Sequence, residues 1–191
     1  IINRNSVINL SQWKLLELGK LTREEVLVRR YEILFQEVGM SCDAKKISEK
    51  YEDFLGEGHY FIPGAKELLE DLSKKYHLYL ASNGAVKVQM SRIQSAGIEK
   101  YLEKIFLSEQ IGYEKPSPQF FEKCFAQIPD FKKEEALILG DSLTSDIRGG
   151  KNAGILTVWF HPSGKKVEEE IVPDYEIGKL EELKTILSFY S

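Results

Sequence analysis

Four residues at three places in the chain have the chemistry to handle an anion and a hard cation. The sharpest signal is Leu139-Gly140-Asp141-Ser142-Leu143-Thr144-Ser145-Asp146, where an apolar run ends in a Gly-Asp pair and a second Asp follows five residues on. Two carboxylates at one strand end suit a divalent cation that takes oxygen ligands. The competing reading is a helix start, with Asp141, Thr144 or Asp146 serving only as a cap. Ala81-Ser82-Asn83-Gly84 ends another apolar run with a hydroxyl, an amide and a permissive glycine, all suited to donating hydrogen bonds to a phosphoryl oxygen. Turns use the same residues for conformational reasons alone. Glu114-Lys115-Pro116-Ser117-Pro118 holds a lysine in a loop stiffened by two prolines, and a solvated lysine is the plain alternative.

These residues need a scaffold that brings strand ends together, and the pattern from Pro63-Gly64 onward supplies one. Strand signals at Leu78-Tyr79-Leu80-Ala81, Ile105-Phe106-Leu107, Ala136 to Leu139 and Ile155 to Phe160 alternate with helical stretches. The helices carry Leu68, Leu69 and Leu72; then Val86, Met90 and Ile93; then Phe120, Phe121, Cys124, Phe125 and Ile128; and a last one runs from about Thr144 to Ala153. Alternation of this kind predicts a doubly wound α/β domain with a mostly parallel sheet, and such sheets bind ligands at the carboxyl ends of their strands. Ser82, Lys115, Asp141 and Asp146 each follow a successive predicted strand, so one rim collects them.

The first sixty residues read as helices only. Val7, Leu10, Leu15 and Leu18 form an apolar set closed by Gly19, and Thr22 with Glu25 is a capping box. Leu27, Tyr31, Leu34, Phe35 and Val38 continue as an amphipathic stripe up to Gly39. Asp43 caps a third helix with Ile47, Tyr51, Phe54 and Leu55 expected inward, and Gly56 and Gly58 close it. Trp13, Phe35, Phe54 and Trp159 read as packing residues, His59 and Tyr60 as surface, His161-Pro162 as loop, and Lys165-Lys166 through Glu168-Glu169-Glu170 as a solvated segment.

Composition narrows the classes. The 191 residues carry 26 Lys plus Arg against 30 Asp plus Glu, a formal net charge of −4, with 42% hydrophobic residues. That excludes a disordered chain and offers no basic stripe for a nucleic acid. The two cysteines, Cys42 and Cys124, are too few for a disulfide scaffold, and no apolar run approaches the roughly 20 residues of a bilayer span. A reducing cytoplasm is the default expectation. A nicotinamide fingerprint is unsupported, because Gly149-Gly150 and Gly154 come at the end of a predicted helix. A receiver-type signalling domain has the reverse order of acidic residues, hydroxyl and lysine.

Taken together, the three loops resemble the haloacid dehalogenase-like hydrolases, a superfamily made mostly of phosphatases. Ser82 matches its second motif, Lys115 its third, and Asp141 with Asp146 its fourth; the resemblance spans residues 61–191. Gly19-Lys20-Leu21-Thr22-Arg23-Glu24-Glu25, Ser145-Asp146-Ile147-Arg148-Gly149-Gly150-Lys151-Asn152-Ala153-Gly154 and Trp159 look like the bacterial 5'-nucleotidase branch, within a pattern shared by phosphoglycolate phosphatase-like and dehalogenase-type enzymes. The resemblance implies a Rossmann-type core at 61–191 and a helical cap at 1–60. One departure stands out: the family's Asp-x-Asp motif, which carries nucleophile and general acid/base on the first strand, is not in this sequence. The expectation is that an N-terminal segment bearing it, with the first strand and the early part of the cap, precedes Ile1.

For the complete protein the resemblance implies a magnesium-dependent phosphomonoesterase working through an aspartyl-phosphate. Its expected substrates are nucleoside 5'-monophosphates or similar small phosphorylated metabolites. Lys115 is expected to neutralise phosphoryl charge; Ser82, the backbone around Asn83, and Gly84 to bind the phosphoryl group; Asp141 to bind Mg²⁺ directly; and Asp146 to bind it through water or to orient Lys115. No nucleic acid polymer, no membrane, and a monomer or weak homodimer complete the expectation. The alternatives are a non-catalytic phosphate- and cation-binding module and a 2-haloacid dehalogenase-type hydrolase.

Overall fold

A computed structural model describes residues 1–164 and 170–190. The chain divides into two compact units, Ile1–Gly58 and His59–Ser191. Of the predicted solvated segment, Lys165, Lys166, Glu168 and Glu169 lie outside the described residues.

The first unit contains α1 (Ile2–Glu17), α2 (Arg23–Val38) and α3 (Ala44–Glu57). Both predicted start signals operate. Thr22 Oγ1 accepts from Glu25 N at 3.3 Å while Glu25 Oε2 accepts from Thr22 N at 2.7 Å, and Asp43 Oδ1 accepts from Lys46 N at 3.0 Å. These side chains satisfy backbone donors that the first helical turn leaves without partners.

The buried faces differ from those expected. On α1, Ile8, Gln12 and Leu16 are buried, and Val7, Leu10 and Leu18 are exposed. The inward stripe runs at i, i+4, i+8 with a polar Gln12 at its centre, which hid it from a reading based on hydrophobicity. On α2, Tyr31 and Leu34 are buried as expected, joined by Val26 and Arg30, and Val38 is exposed. On α3 the buried residues are Ala44, Ser48 and Gly56, while Ile47, Tyr51 and Phe54 are exposed, Phe54 with 60% of its surface, and the Tyr51 ring stands edge-on to Tyr31 at 6.1 Å. Small side chains let helix axes approach closely. The narrow face of α3 goes inside for that reason, and Phe54 is not a packing residue. Phe35 does pack, with its ring centroid 6.1 Å from that of Tyr31.

The second unit runs α4 (Ala65–Leu72), β1 (Tyr79–Ser82), α5 (Val86–Ala96), β2 (Lys104–Leu107), α6 (Ser108–Ile111), α7 (Pro118–Phe125), β3 (Leu137–Gly140), α8 (Arg148–Ala153), β4 (Leu156–Phe160), β5 (Tyr175–Ile177) and α9 (Leu183–Leu187). The described strands pair in parallel, β1 with β2 and β3–β4–β5 in that order. This is the α/β fold that the alternation predicted. Between β3 and α8 the chain forms a π-helical turn, Leu143–Ile147, where sequence suggested one continuous helix. Two glycines hold α8 close to its neighbours. A Cβ on Gly150 would meet Ile138 Cγ2 at 2.5 Å and Thr157 Cγ2 at 2.7 Å, and one on Gly149 would meet Phe121 Cε2 at 2.5 Å. Cys124 lies in the core beside Phe120 and Phe121. Burial pushes its thiol up to about 12 against the opposing charge of Lys115, which removes it as a nucleophile at neutral pH.

The short β5 was not read from sequence because a three-residue strand carries almost no periodicity. A polar clamp fixes it instead. Asp174, just before β5, accepts from Thr157 N at 2.9 Å and Thr157 Oγ1 at 2.7 Å through Oδ2, and from Lys151 Nζ at 2.5 Å through Oδ1. Burial alone pushes the Asp174 carboxyl up, but the bonds from Lys151 and Thr157 outweigh it and hold the carboxyl below its usual 3.8. A carboxyl depressed on folding stabilises the fold above its unfolded pKa, and that contribution is lost as pH falls through the folded value. Asp174→Asn is therefore expected to cost about 1 kcal/mol at pH 7 and progressively less below about pH 4. Urea midpoints of both proteins at pH 7 and pH 3 measure this, and an equal difference at the two pH values refutes it.

Candidate active site

Lys115 stands at the centre of the predicted rim. Its Nζ donates to Ala81 O at the end of β1 at 2.7 Å and to Asp146 Oδ1 in the π-turn at 2.6 Å. Both side chains of this ion pair are buried, with 8% and 10% of their surface exposed. An ammonium has three N–H donors, so one remains after these two bonds. Asp146 Oδ2 accepts from Ser142 N at 3.1 Å, so each carboxylate oxygen already has a protein partner. Its close seat on β3 depends on Gly140, where a Cβ would come within 2.3 Å of the Asp146 carboxyl.

Asn83 has a different place from the one its amide suggested. Its Nδ2 donates to Lys115 O at 2.9 Å and its Oδ1 accepts from Lys115 N at 2.9 Å, a two-bond clamp across 32 residues. The side-chain amide grips the backbone of Lys115, whereas the phosphoryl contact that the resemblance implies here runs through the backbone around Asn83. The Gly84 N–H is also committed, donating to Ser82 Oγ at 3.0 Å, and Gln89 Nε2 donates to the same oxygen at 3.1 Å. With both acceptor sites of the hydroxyl filled, its own proton is free to donate. The Gly84 N–H bond to Ser82 Oγ, two residues back, is also the turn that a serine hydroxyl makes for conformational reasons.

Asp141 is exposed, and among the described residues its carboxylate has no hydrogen bond or ion pair. The cap of the following turn is supplied by Ser142, whose Oγ accepts from Ser145 N at 3.1 Å. Asp141 itself is tied only through its backbone, its carbonyl accepting from Trp159 Nε1 at 3.0 Å. Among the described residues no three His, Cys, Asp or Glu side chains converge. The oxygen-only character of Asp141 nevertheless fits Mg²⁺, which keeps several waters and binds through one or two carboxylates together with substrate phosphate.

The structure thus joins Ser82, Lys115, Asp146 and the Gly140–Ser142 turn in one continuous set of contacts at the carboxyl ends of β1 and β3. Sequence reasoning missed Gln89, Ser142 and the indole of Trp159. Ser142 lies inside the Leu139–Asp146 motif and Trp159 among the residues that carry the resemblance, but their types alone give no sign of these bonds; the register that sets Trp159 beside Gly140 shows only in the fold.

Comparison with known proteins identifies the family of the chain. Residues 2–160 match the model of the haloacid dehalogenase-like hydrolase family. YfnB of Bacillus subtilis, assigned by name to the HAD-hydrolases, is 42% identical over 181 residues, covering 95% of this chain and 77% of its own. The pyrimidine 5'-nucleotidase PynA of Streptococcus pneumoniae is 37% identical over 177 residues, covering 92% and 75%. A crystal structure of YfnB bound to magnesium, described as revealing interdomain movement, superposes with a TM-score of 0.92 at 41% identity, covering 97% of this chain and 81% of that one. With the parallel α/β fold and the strand-end cluster in place, these matches make the chain a member of the haloacid dehalogenase-like hydrolase family.

Proposed function

We propose that the complete protein is a magnesium-dependent phosphomonoesterase acting on nucleoside 5'-monophosphates, pyrimidine nucleotides first among them. The observation that carries this reading is the free donor capacity at one rim: the third N–H of Lys115 and the hydroxyl proton of Ser82. Two donors already oriented by protein bonds favour an anion whose charge develops during reaction, because they need no reorganisation at that moment. The name of PynA as a pyrimidine 5'-nucleotidase, and that of YjjG of Escherichia coli, 26% identical over 180 residues, supports the substrate class.

In this reading Lys115 neutralises charge on the transferring phosphoryl group, Ser82 donates to one of its oxygens, Asn83 and Asp146 hold Lys115 in place, and Gly84 with Gln89 orients the Ser82 hydroxyl. Asp141 holds Mg²⁺, which when bound offsets the repulsion between a carboxylate nucleophile and a dianionic ester. The nucleophile, which would form the aspartyl-phosphate, and the general acid/base would come from the family's Asp-x-Asp motif, which is not among these 191 residues. The helical unit Ile1–Gly58 acts as the cap.

The test uses the full-length protein with UMP, dTMP, AMP, a nucleoside 3'-monophosphate and phosphoglycolate, each with and without Mg²⁺. Phosphate release is expected to require Mg²⁺ and to have its highest kcat/KM for the pyrimidine 5'-monophosphates. Equal rates with EDTA, or a preference for phosphoglycolate, would replace this reading.

A further inference from the structure

Trp159 belongs to a buried cluster with Leu143 and Ile147, the first and last residues of the π-turn, and its indole N–H reaches the carbonyl of Asp141 at 3.0 Å. One side chain therefore touches both ends of the segment that carries Asp146 and also holds the residue on which Asp141's carboxylate is mounted. The ring is itself held. His161 stacks on it at 4.0 Å between centroids with planes 16° apart, and His161 is fixed by Glu176 Oε1 at 3.0 Å from Nδ1 and Ser163 Oγ at 2.7 Å from Nε2. A tryptophan in a core normally finds a partner for its N–H. Here the partner is the backbone carbonyl of Asp141, the residue that follows the last ladder position of β3, and the Asp141 carboxylate has no side-chain restraint among the described residues.

We propose that Trp159 is a positioning residue for cation binding: its indole N–H fixes the Asp141 backbone so that the carboxylate is presented in one direction. This rests on the reading that Asp141 holds Mg²⁺. Without the N–H, the Asp141 carbonyl loses its partner, and the Asp141–Ser142 peptide to which it belongs keeps, among the described residues, the bond from Ser142 N to Asp146 Oδ2 at 3.1 Å as its hold, which loosens the backbone at Asp141. Ordering the carboxylate then becomes part of the cost of binding the ion, and affinity falls. Trp159→Phe keeps an aromatic ring against His161, Leu143 and Ile147 and removes the donor.

Mg²⁺ binding to the full-length protein, without substrate, is measured by titration calorimetry, and stability by urea unfolding. Trp159→Phe is expected to weaken Mg²⁺ binding roughly fivefold, the scale of one lost hydrogen bond. His161→Ala, which leaves the donor but frees the ring, is expected to weaken it about twofold by the same reasoning, and keeps the test decisive if the Phe variant fails to fold. Ile186→Val, in the separate cluster around Phe160 and Leu183, is expected to lower stability with the Mg²⁺ dissociation constant unchanged. Asp141→Asn separates the two claims. If Asp141→Asn loses Mg²⁺ binding while the foldable Trp159 and His161 variants bind it like wild type, the positioning role is wrong. If Asp141→Asn binds Mg²⁺ normally, the assignment of Asp141 is wrong and Trp159 has nothing to position.

Discussion

Lys115→Ala is expected to lower turnover of the full-length enzyme on the order of 10²–10³-fold at saturating Mg²⁺, because the charge it neutralises belongs to the phosphoryl group and not to the cation site. The substitution also has a structural consequence. It leaves Asp146 buried without its counter-charge, which is worth about 3–5 kcal/mol when one partner of a buried pair is removed. Loss of activity alone is therefore ambiguous. The double variant Lys115→Met with Asp146→Asn removes both charges, and it is expected to recover most of the stability of the single variant while recovering none of the turnover. Urea unfolding and steady-state kinetics on the same preparations separate the two effects. Recovery of turnover in the double variant would mean that Lys115 only props the site. Ser82→Ala gives the scale, since it removes one neutral donor and is expected to cost about 1 kcal/mol, roughly fivefold in kcat.

The core was more legible from sequence than the helical unit, and particular residues explain the difference. In a buried parallel strand such as Leu156–Phe160 every side chain is apolar or small, so the sequence announces it directly. The chemistry-bearing residues then follow as the polar positions where those runs stop. In the helical unit the decisive contacts are made by residues of the wrong apparent type. Gln12 sits in the buried stripe of α1, Arg30 is buried on α2 with its charge over the Tyr31 and Tyr51 rings, and Ser48 faces inward on α3. Arg30 is tolerated there because Nη1 donates to Asn9 Oδ1 at 2.8 Å and its guanidinium lies 5.0 Å from the Tyr31 ring centre. Partner geometry of that kind has no one-dimensional signature.

Within the site, residue types were legible and their partners were not. The Asn83 amide and the Gly84 N–H are donors, and the motif alone cannot say that these two are taken by Lys115 O and Ser82 Oγ. The resemblance sets Asp141 apart as a direct cation ligand and leaves Asp146 either to bind the ion through water or to orient Lys115. The structural distinction comes from Ser142, whose N–H engages one carboxylate and whose hydroxyl caps the turn, so that Asp146 is committed to Lys115 and Asp141 is not.

That division of labour makes Asp141→Asn the sharpest separation of cation ligand from helix cap. The change is nearly isosteric, and among the described residues the carboxylate has no hydrogen bond to lose, so folding stability is expected to stay within about 0.5 kcal/mol of wild type. A capping carboxylate behaves in the opposite way: losing the charge that faces a helix start weakens the turn, by about 1 kcal/mol when the cap is removed outright, and leaves metal dependence untouched. Here the Mg²⁺ concentration for half-maximal turnover is expected to rise at least about tenfold, since an amide oxygen lacks the formal charge that a hard, strongly hydrated cation requires. Ser142→Ala supplies the contrast, because it removes the hydroxyl that does the capping; it is expected to lose about 1 kcal/mol of stability and to keep the Mg²⁺ requirement near wild type. Measuring both quantities for both variants gives a crossed pattern that general destabilisation cannot imitate. If Asp141→Asn proves destabilised with its metal requirement unchanged, the cation has another ligand set and the rim formed by Ser82, Lys115 and Asp146 must be explained without Asp141.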